Sequence, residues 1–196
     1  TRGLLEEQAA SIKTDPLTVL LLATTIYYSA QWTDKFYEEL NYTEVFHSAS
    51  GDVEAEYMYT EQYMDYFSGE GWGAVLLSLR GGNGMWFILP DEGVSVDALL
   101  ENEEVMRLMA TGPEEQVNEY VKVYLSVPKF DIASQLDLID GLKALGVTDV
   151  FDPAVSDFTP MTTDTDMPIY VSEATHAARV KIDEEGVEAA AFTVII

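Results

Sequence analysis

Cysteine is absent from the 196 residues. That excludes disulfide staples, thiolate metal sites and thiol nucleophiles, but it leaves the compartment open, because a chain with a sizeable core does without disulfides. Positive charge is scarce. Ten Lys and Arg stand against 35 Asp and Glu, a formal net charge of −25, so the surface repels nucleic acid, heparin-like polyanions and anionic lipid. Histidine occurs only at 47 and 176, too far apart in sequence to make a metal site without a second ligand at helical or hairpin spacing. Long hydrophobic runs are lacking too. The longest, LTVLLLATTIYY from Leu17 to Tyr28, is interrupted by threonines and too short to span a bilayer.

What is present is a core-forming composition. Hydrophobic residues make up 47% of the chain, and 11 Tyr, 8 Phe and 3 Trp argue against disorder. LTVLLLATTIYYSAQW is β-branched and apolar on successive positions, as expected of a strand covered on both faces in the middle of a large sheet. WGAVLLSLR and MWFILP flank the turn GGNG and predict a hairpin. VDALLENEEVMRLMATG places Leu99, Leu100, Val105, Leu108 and Met109 at helical spacing and stops at Gly112. EYVKVYLSVPKF alternates like a half-buried strand. SQLDLIDGLKALGV reads as an amphipathic helix with Ser134 as N-cap and Gly146 at its end. IYVSEATHAARVKIDEEG closes the series as another strand. Strands and helices do not alternate regularly, which points to an α+β fold with mixed sheets rather than a βαβ barrel.

Conventional catalytic motifs are weak. No G-x-S-x-G elbow supports a serine triad around either histidine, and the bland reading of His176 is a hydrogen-bonded histidine within its strand. Asp149, Asp164 and Asp166 are candidate calcium ligands, but TDTD lacks the glycine and terminal glutamate of an EF-hand loop. Carboxylate pairs arise by chance in so acidic a chain, so a carboxylate-pair hydrolase stays only as a distant alternative.

The C-terminal stretch DEEGVEAAAFTVII is where local rules conflict. Glu184 to Ala191 favours helix by propensity apart from Gly186, whereas Phe192 to Ile196 favours strand. Such a conflict suits a segment with two destinations, loose in one state and slipped between existing strands in the other. In the inserted state Val187, Ala189, Ala191 and Thr193 would share one face, all small or medium and uncharged, with Glu188, Ala190 and Phe192 on the other.

These features together resemble the serpin family. VKIDEEGVEAAAFT is similar to the serpin hinge: Glu184-Glu185, Gly186, Val187, Glu188 and Ala189-Ala190-Ala191 stand where the family has an acidic pair, a glycine, a small residue, a glutamate and alanines. LLLATTIYYSAQWTDKF, with Trp32 and Phe36, VYLSVPKFDI, LKALGVTDVFDPAVSDFTPM and MWFILPDEG resemble further serpin motifs in the right order, over essentially all 196 residues. The resemblance implies a partial serpin domain spanning 1–196, about the second half of a three-sheet fold. Residues 184–196 would form the hinge and proximal reactive loop, the scissile bond would lie beyond Ile196, and the rest of the polypeptide would lie on either side. It implies no cofactor or metal, and no enzymatic activity. The implied activity is suicide inhibition of a serine, or sometimes cysteine, protease, held in a covalent complex while the loop enters the main sheet; secretion follows from the family alone. Two departures are Val187 where Thr is usual, and Thr24 where an Asn usually partners the histidine at position 176. The resemblance implies that Thr24 and His176 lie near each other under the main sheet, differently bonded, and that Trp32 lies at its top. A non-inhibitory serpin is the alternative, although such relatives tend to carry charged or bulky hinge residues.

Overall fold

The computed structural model describes residues 1–48, 50–113, 118–161 and 167–196, the side chain of Asn118 excepted. The elements run in order α1 (Glu6–Ala9), β1 (Leu22–Gln31), β2 (Tyr42–Ser48), β3 (Gly51–Gly69), β4 (Trp72–Leu79), β5 (Asn83–Pro90), α2 (Val96–Glu101), α3 (Glu103–Thr111), β6 (Asn118–Pro128), β7 (Phe130–Asp137), α4 (Ile139–Ala144), β8 (Ala174–Ile182) and β9 (Gly186–Ile195). The chain forms two compact units, one of residues 1–29, 130–181 and 188–196, the other of residues 30–129 and 182–187.

The second unit is built on a five-stranded sheet, β2-β3-β4-β5 with β6 on β3. Its paired strands are all antiparallel. The expected hairpin is β4–β5, closing at Leu79↔Asn83. Gly81 and Gly82, with φ of 100° and 86°, take the left-handed conformation its turn requires. The long helix expected over 96–112 is broken at Asn102. The Asn102 side chain accepts the backbone N–H groups of Glu104 and Val105 at 2.9 and 3.2 Å, so it starts α3 rather than continuing α2. Leu99, Val105 and Leu108 then pack with Phe67, Trp72 and Ala74, while Leu100 and Met109 face solvent. The described residues form two sheets, as part of an α+β fold. β3, at 19 residues, pairs in succession with β2, β6 and β4.

The first unit holds nearly all of a four-stranded sheet in the order β1-β9-β8-β7. Its core joins Leu5, Ala177, Ala190, Phe192 and Val194. Two expectations fail here. Among the described residues β1 stands at the edge of its sheet with most of its residues exposed, because β9 pairs with one of its edges and no other described strand pairs on the far side. Ser134 is no helix cap. It lies in β7, whose extended backbone runs to Asp137; the N-cap position of α4 is Leu138, which makes no side-chain cap bond, and the Asp137 carboxylate just before it accepts the N–H of Ile139 at 2.9 Å in a local turn. Gly146 does end the shorter helix that follows, with φ 91°.

Candidate functional site

The C-terminal stretch lies inside the sheet. β8 and β9 are joined by a two-residue turn at Glu184-Glu185, where Asp183 and Gly186 exchange backbone bonds at 3.1 and 3.2 Å. So short a connection makes the pair antiparallel. Glu173 and Ile196 exchange the same bonds at the other end, at 3.2 and 2.9 Å, so a single register holds over the length of the hairpin. The Asp183 carboxylate supports the turn locally, accepting the N–H groups of Glu185 and Gly186 at 3.0 and 3.2 Å. β1 closes the other side of β9.

Gly186 is required by close approach rather than by its φ. A Cβ at this position would sit 2.0 Å from the carbonyl oxygen of Ala30 and 2.8 Å from the Cα of Gln31. Both are backbone atoms and cannot rotate away. Trp32, 1% exposed, stands at the same point. Its backbone N–H donates to the Glu185 carbonyl at 3.0 Å and its indole Nε1 to the Asp183 carbonyl at 2.8 Å. Phe36 packs edge-on against the indole at 6.0 Å.

The two acids of the turn have different surroundings. Glu185 is exposed and paired with Lys35. Glu184 is buried, at 7% exposure, and accepts from Lys129 Nζ at 2.8 Å and from Asn41 Nδ2. Glu56 joins the same group, accepting from Asn41 at 2.9 Å and lying 3.3 Å from Lys129. Burial works against the charge on Glu184, but the bonds from Lys129 and Asn41 outweigh it and hold its carboxyl below the ordinary range. The bond from Asn41, followed by that from Lys129, lowers Glu56. The bond to Glu184 raises Lys129. Asn41 and Glu56 were not singled out in the sequence; nothing local distinguishes them from other surface polar residues.

Along β9 the faces alternate as strand geometry requires, but the more deeply buried face is the one carrying Ala190, Phe192 and Val194, packed with Leu5. Val187 is buried, and Ala189, Ala191 and Thr193 are half-buried. Glu188, on the face of Ala190, accepts the Tyr27 hydroxyl at 2.5 Å. His176 Nδ1 lies 2.9 Å from Thr193 Oγ1. Thr24 does not partner it. β9 separates β1 from β8, which puts Thr24 and His176 on strands two spacings apart, and Thr24 is exposed.

The described residues contain no group of three or more His, Asp or Glu placed to hold a metal, and no helix long and apolar enough to cross a membrane. His47 is exposed and bonded to Asp52 at 2.7 Å. Asp164 and Asp166 lie outside the described residues.

A hairpin whose second strand is the alanine-rich segment, seated between two strands of a sheet, is accompanied by a family match. Residues 1–196 match the serpin (serine protease inhibitor) family. The chain is a serpin-family member. Bovine Serpin A3-5 is 34% identical over 198 residues, covering 98% of this chain and 46% of its own length. Human antithrombin-III is 31% identical, covering 100% and 42%. Among solved structures, the loop-inserted form of a cleaved ovalbumin mutant superposes with a TM-score of 0.80 over 99% of this chain and 53% of its own, at 20% identity, a likeness of fold. The chain thus spans a little under half the length of the curated serpins it matches, and the family is one of inhibitors rather than enzymes.

Proposed function

We propose that this chain is the hinge-bearing part of an inhibitory serpin that traps a target protease by inserting residues 186–195 as a strand. A serine protease, or in some cases a cysteine protease, would attack a bond beyond Ile196. The acylated loop would then enter between β1 and β8, carrying the bound enzyme with it. Strand addition of this kind is known for serpin loops. The reading rests on the place of β9, which fits between β1 and β8 with no charged side chain forced into a dry position: Glu188 has the Tyr27 hydroxyl, and its neighbours are Val, Ala, Phe and Thr.

The hinge set Glu184, Glu185, Gly186, Val187, Glu188, Ala189, Ala190, Ala191 and Thr193 divides by task in this reading. Glu184, Glu185 and Gly186 fix the turn about which the strand swings. Val187, Ala189, Ala190, Ala191 and Thr193 supply side chains small enough to enter a closing gap, and Glu188 keeps its charge on the Tyr27 hydroxyl. Val187, where the family usually has Thr, gives up a hydroxyl and keeps the volume. Trp32 marks the entry point, and His176 with Thr193 pins the strand toward its far end. Heparin is disfavoured as a partner by the charge of −25, and extracellular placement belongs to the same reading.

The test uses the full-length protein incubated with a panel of serine and cysteine proteases. An adduct that survives SDS, with release of the distal loop peptide, is the expected result. Clean loop cleavage without an adduct across the panel would make the protein a non-inhibitory serpin instead.

A further inference from the structure

One face of the β3–β6 pair repeats a small arrangement. Glu61 lies directly opposite Tyr124, and Asp65 lies directly opposite Tyr120, with Tyr63 opposite Lys122 between them. Residues two and four apart in a strand share a face, so these six side chains form one surface with the two carboxylate–tyrosine pairs four residues apart on each strand. The first pair is occupied. Lys122 places its ammonium 5.1 Å from the centre of the Tyr124 ring and 3.1 Å from the Glu61 carboxylate, a cation held between an aromatic face and an acid. The second pair has the same parts and no cation. Tyr120 stacks on Tyr63 at 6.0 Å, the two being 71% and 62% exposed, and Asp65 has no hydrogen-bond or ion-pair partner among the described residues.

We infer that Asp65, Tyr120 and Tyr63 form a docking site for a lysine or arginine side chain on a protein partner. The face is outward. Phe67, two residues beyond Asp65 on the same face, is covered by α2 and α3, and the covering stops short of the tyrosines. Their exposure is too great to enclose a free small cation, whereas a side chain delivered by a partner surface brings its own walls. Tyrosine is enriched at protein interfaces, as is the arginine such a partner would bring. A second copy of this chain is a poor occupant, since both would carry a large negative charge. Nucleic acid and anionic lipid are repelled for the same reason.

The experiment titrates the full-length protein with a twelve-residue peptide of alternating arginine and glycine, against a citrulline peptide of the same length, by isothermal calorimetry at near-physiological salt. The arginine peptide should bind and the citrulline peptide should not. Asp65→Asn and Tyr120→Ser should each weaken binding about two- to fivefold. Tyr120→Phe should retain it, because the ring face and not the hydroxyl makes the contact. Glu101→Gln, which removes an exposed carboxylate from α2, should leave it unchanged. Equal loss from Glu101→Gln and Asp65→Asn would reduce the effect to bulk charge and overturn the site, as would unaltered binding by Tyr120→Ser or equal binding of the citrulline peptide. None of these outcomes depends on whether the protein inhibits a protease.

Discussion

Replacing Gly186 by alanine puts the inserted strand under a load that can be worked out. The added Cβ would meet the Ala30 carbonyl oxygen at 2.0 Å, more than an ångström inside the ordinary contact of about 3.5 Å. The obstacle is backbone on a neighbouring strand, so relief requires β9 and β1 to part locally. Parting by an ångström breaks the bond from the Trp32 N–H to the Glu185 carbonyl, now 3.0 Å, at about 1 kcal/mol. Overpacking adds about 1–3 kcal/mol. Against this, alanine restricts the unfolded chain more than glycine does and returns about 0.4–1 kcal/mol. The net expectation is a loss of about 1–3.5 kcal/mol, confined to the state in which the strand is in place. The assay is guanidinium denaturation of the full-length protein before and after cleavage of its reactive loop. The cleaved variant should fall below cleaved wild type by that amount, while the uncleaved pair should agree closely. An unchanged cleaved form, or an equal fall in both forms, would refute the argument that Gly186 is there for close approach in the inserted state.

Ala190→Arg would bury an unpaired charge against Leu5, Phe192 and Val194 and should convert inhibition into plain substrate turnover, read as loss of the SDS-stable adduct with loop cleavage retained. Lys129→Ala leaves the buried Glu184 with Asn41 as its side-chain donor but without a cation; because Lys129 is itself partly exposed, the cost should be about 1–3 kcal/mol in urea denaturation, below that of a fully buried pair. The same cluster sets a pH dependence. Glu184 is lowered on folding, so its stabilising contribution is present above the ordinary value of 4.5 and is lost as pH falls through its lower folded value. Lys129 is raised, so its contribution is present below 10.5 and is lost as pH rises through its higher folded value. Stability measured across pH should therefore show an acid limb beneath 4.5 that Glu184→Gln flattens. His176→Ala should cost the cleaved form about 1 kcal/mol through the bond to Thr193, and Thr193→Val should cost about the same; a double variant losing the full sum would show that the two do not act as a pair.

What could be read in advance was whatever depends on near neighbours. The GGNG turn carries its own conformational signal, and so does the stop at Gly112. The conflict between polyalanine and the β-branched tail was visible as a conflict, and the alternation of faces along 187–193 follows from strand geometry alone. Burial depth does not. Which face of β9 packs more tightly is decided by Leu5, nearly two hundred residues away in sequence, and nothing in AAAFTV announces it. The same limit explains β1. Its apolar run reads as central because hydrophobic density reports what a strand could bury, and a strand with one neighbour buries less. Ser134 has the chemistry of a cap, but the extended backbone of β7 through residue 137 moves the start of the helix past it, to a Leu138 cap position without a side-chain bond. Asn41 and Glu56 were silent because their meaning comes only from the carboxylate they help to hold.

Trp32 has a use beyond packing. Of the three tryptophans, Trp72 and Trp86 sit together in the cluster beneath α2 and α3, while the Trp32 indole donates to the carbonyl at the mouth of the β8–β9 turn. Any opening of that turn trades this bond and a dry environment for water, and indole emission responds to both. The protein thus carries its own optical probe of strand position. With Trp72, Trp86 and every other tryptophan of the full-length protein replaced by phenylalanine, a stopped-flow trace of Trp32 emission would time the movement of the hinge without a dye.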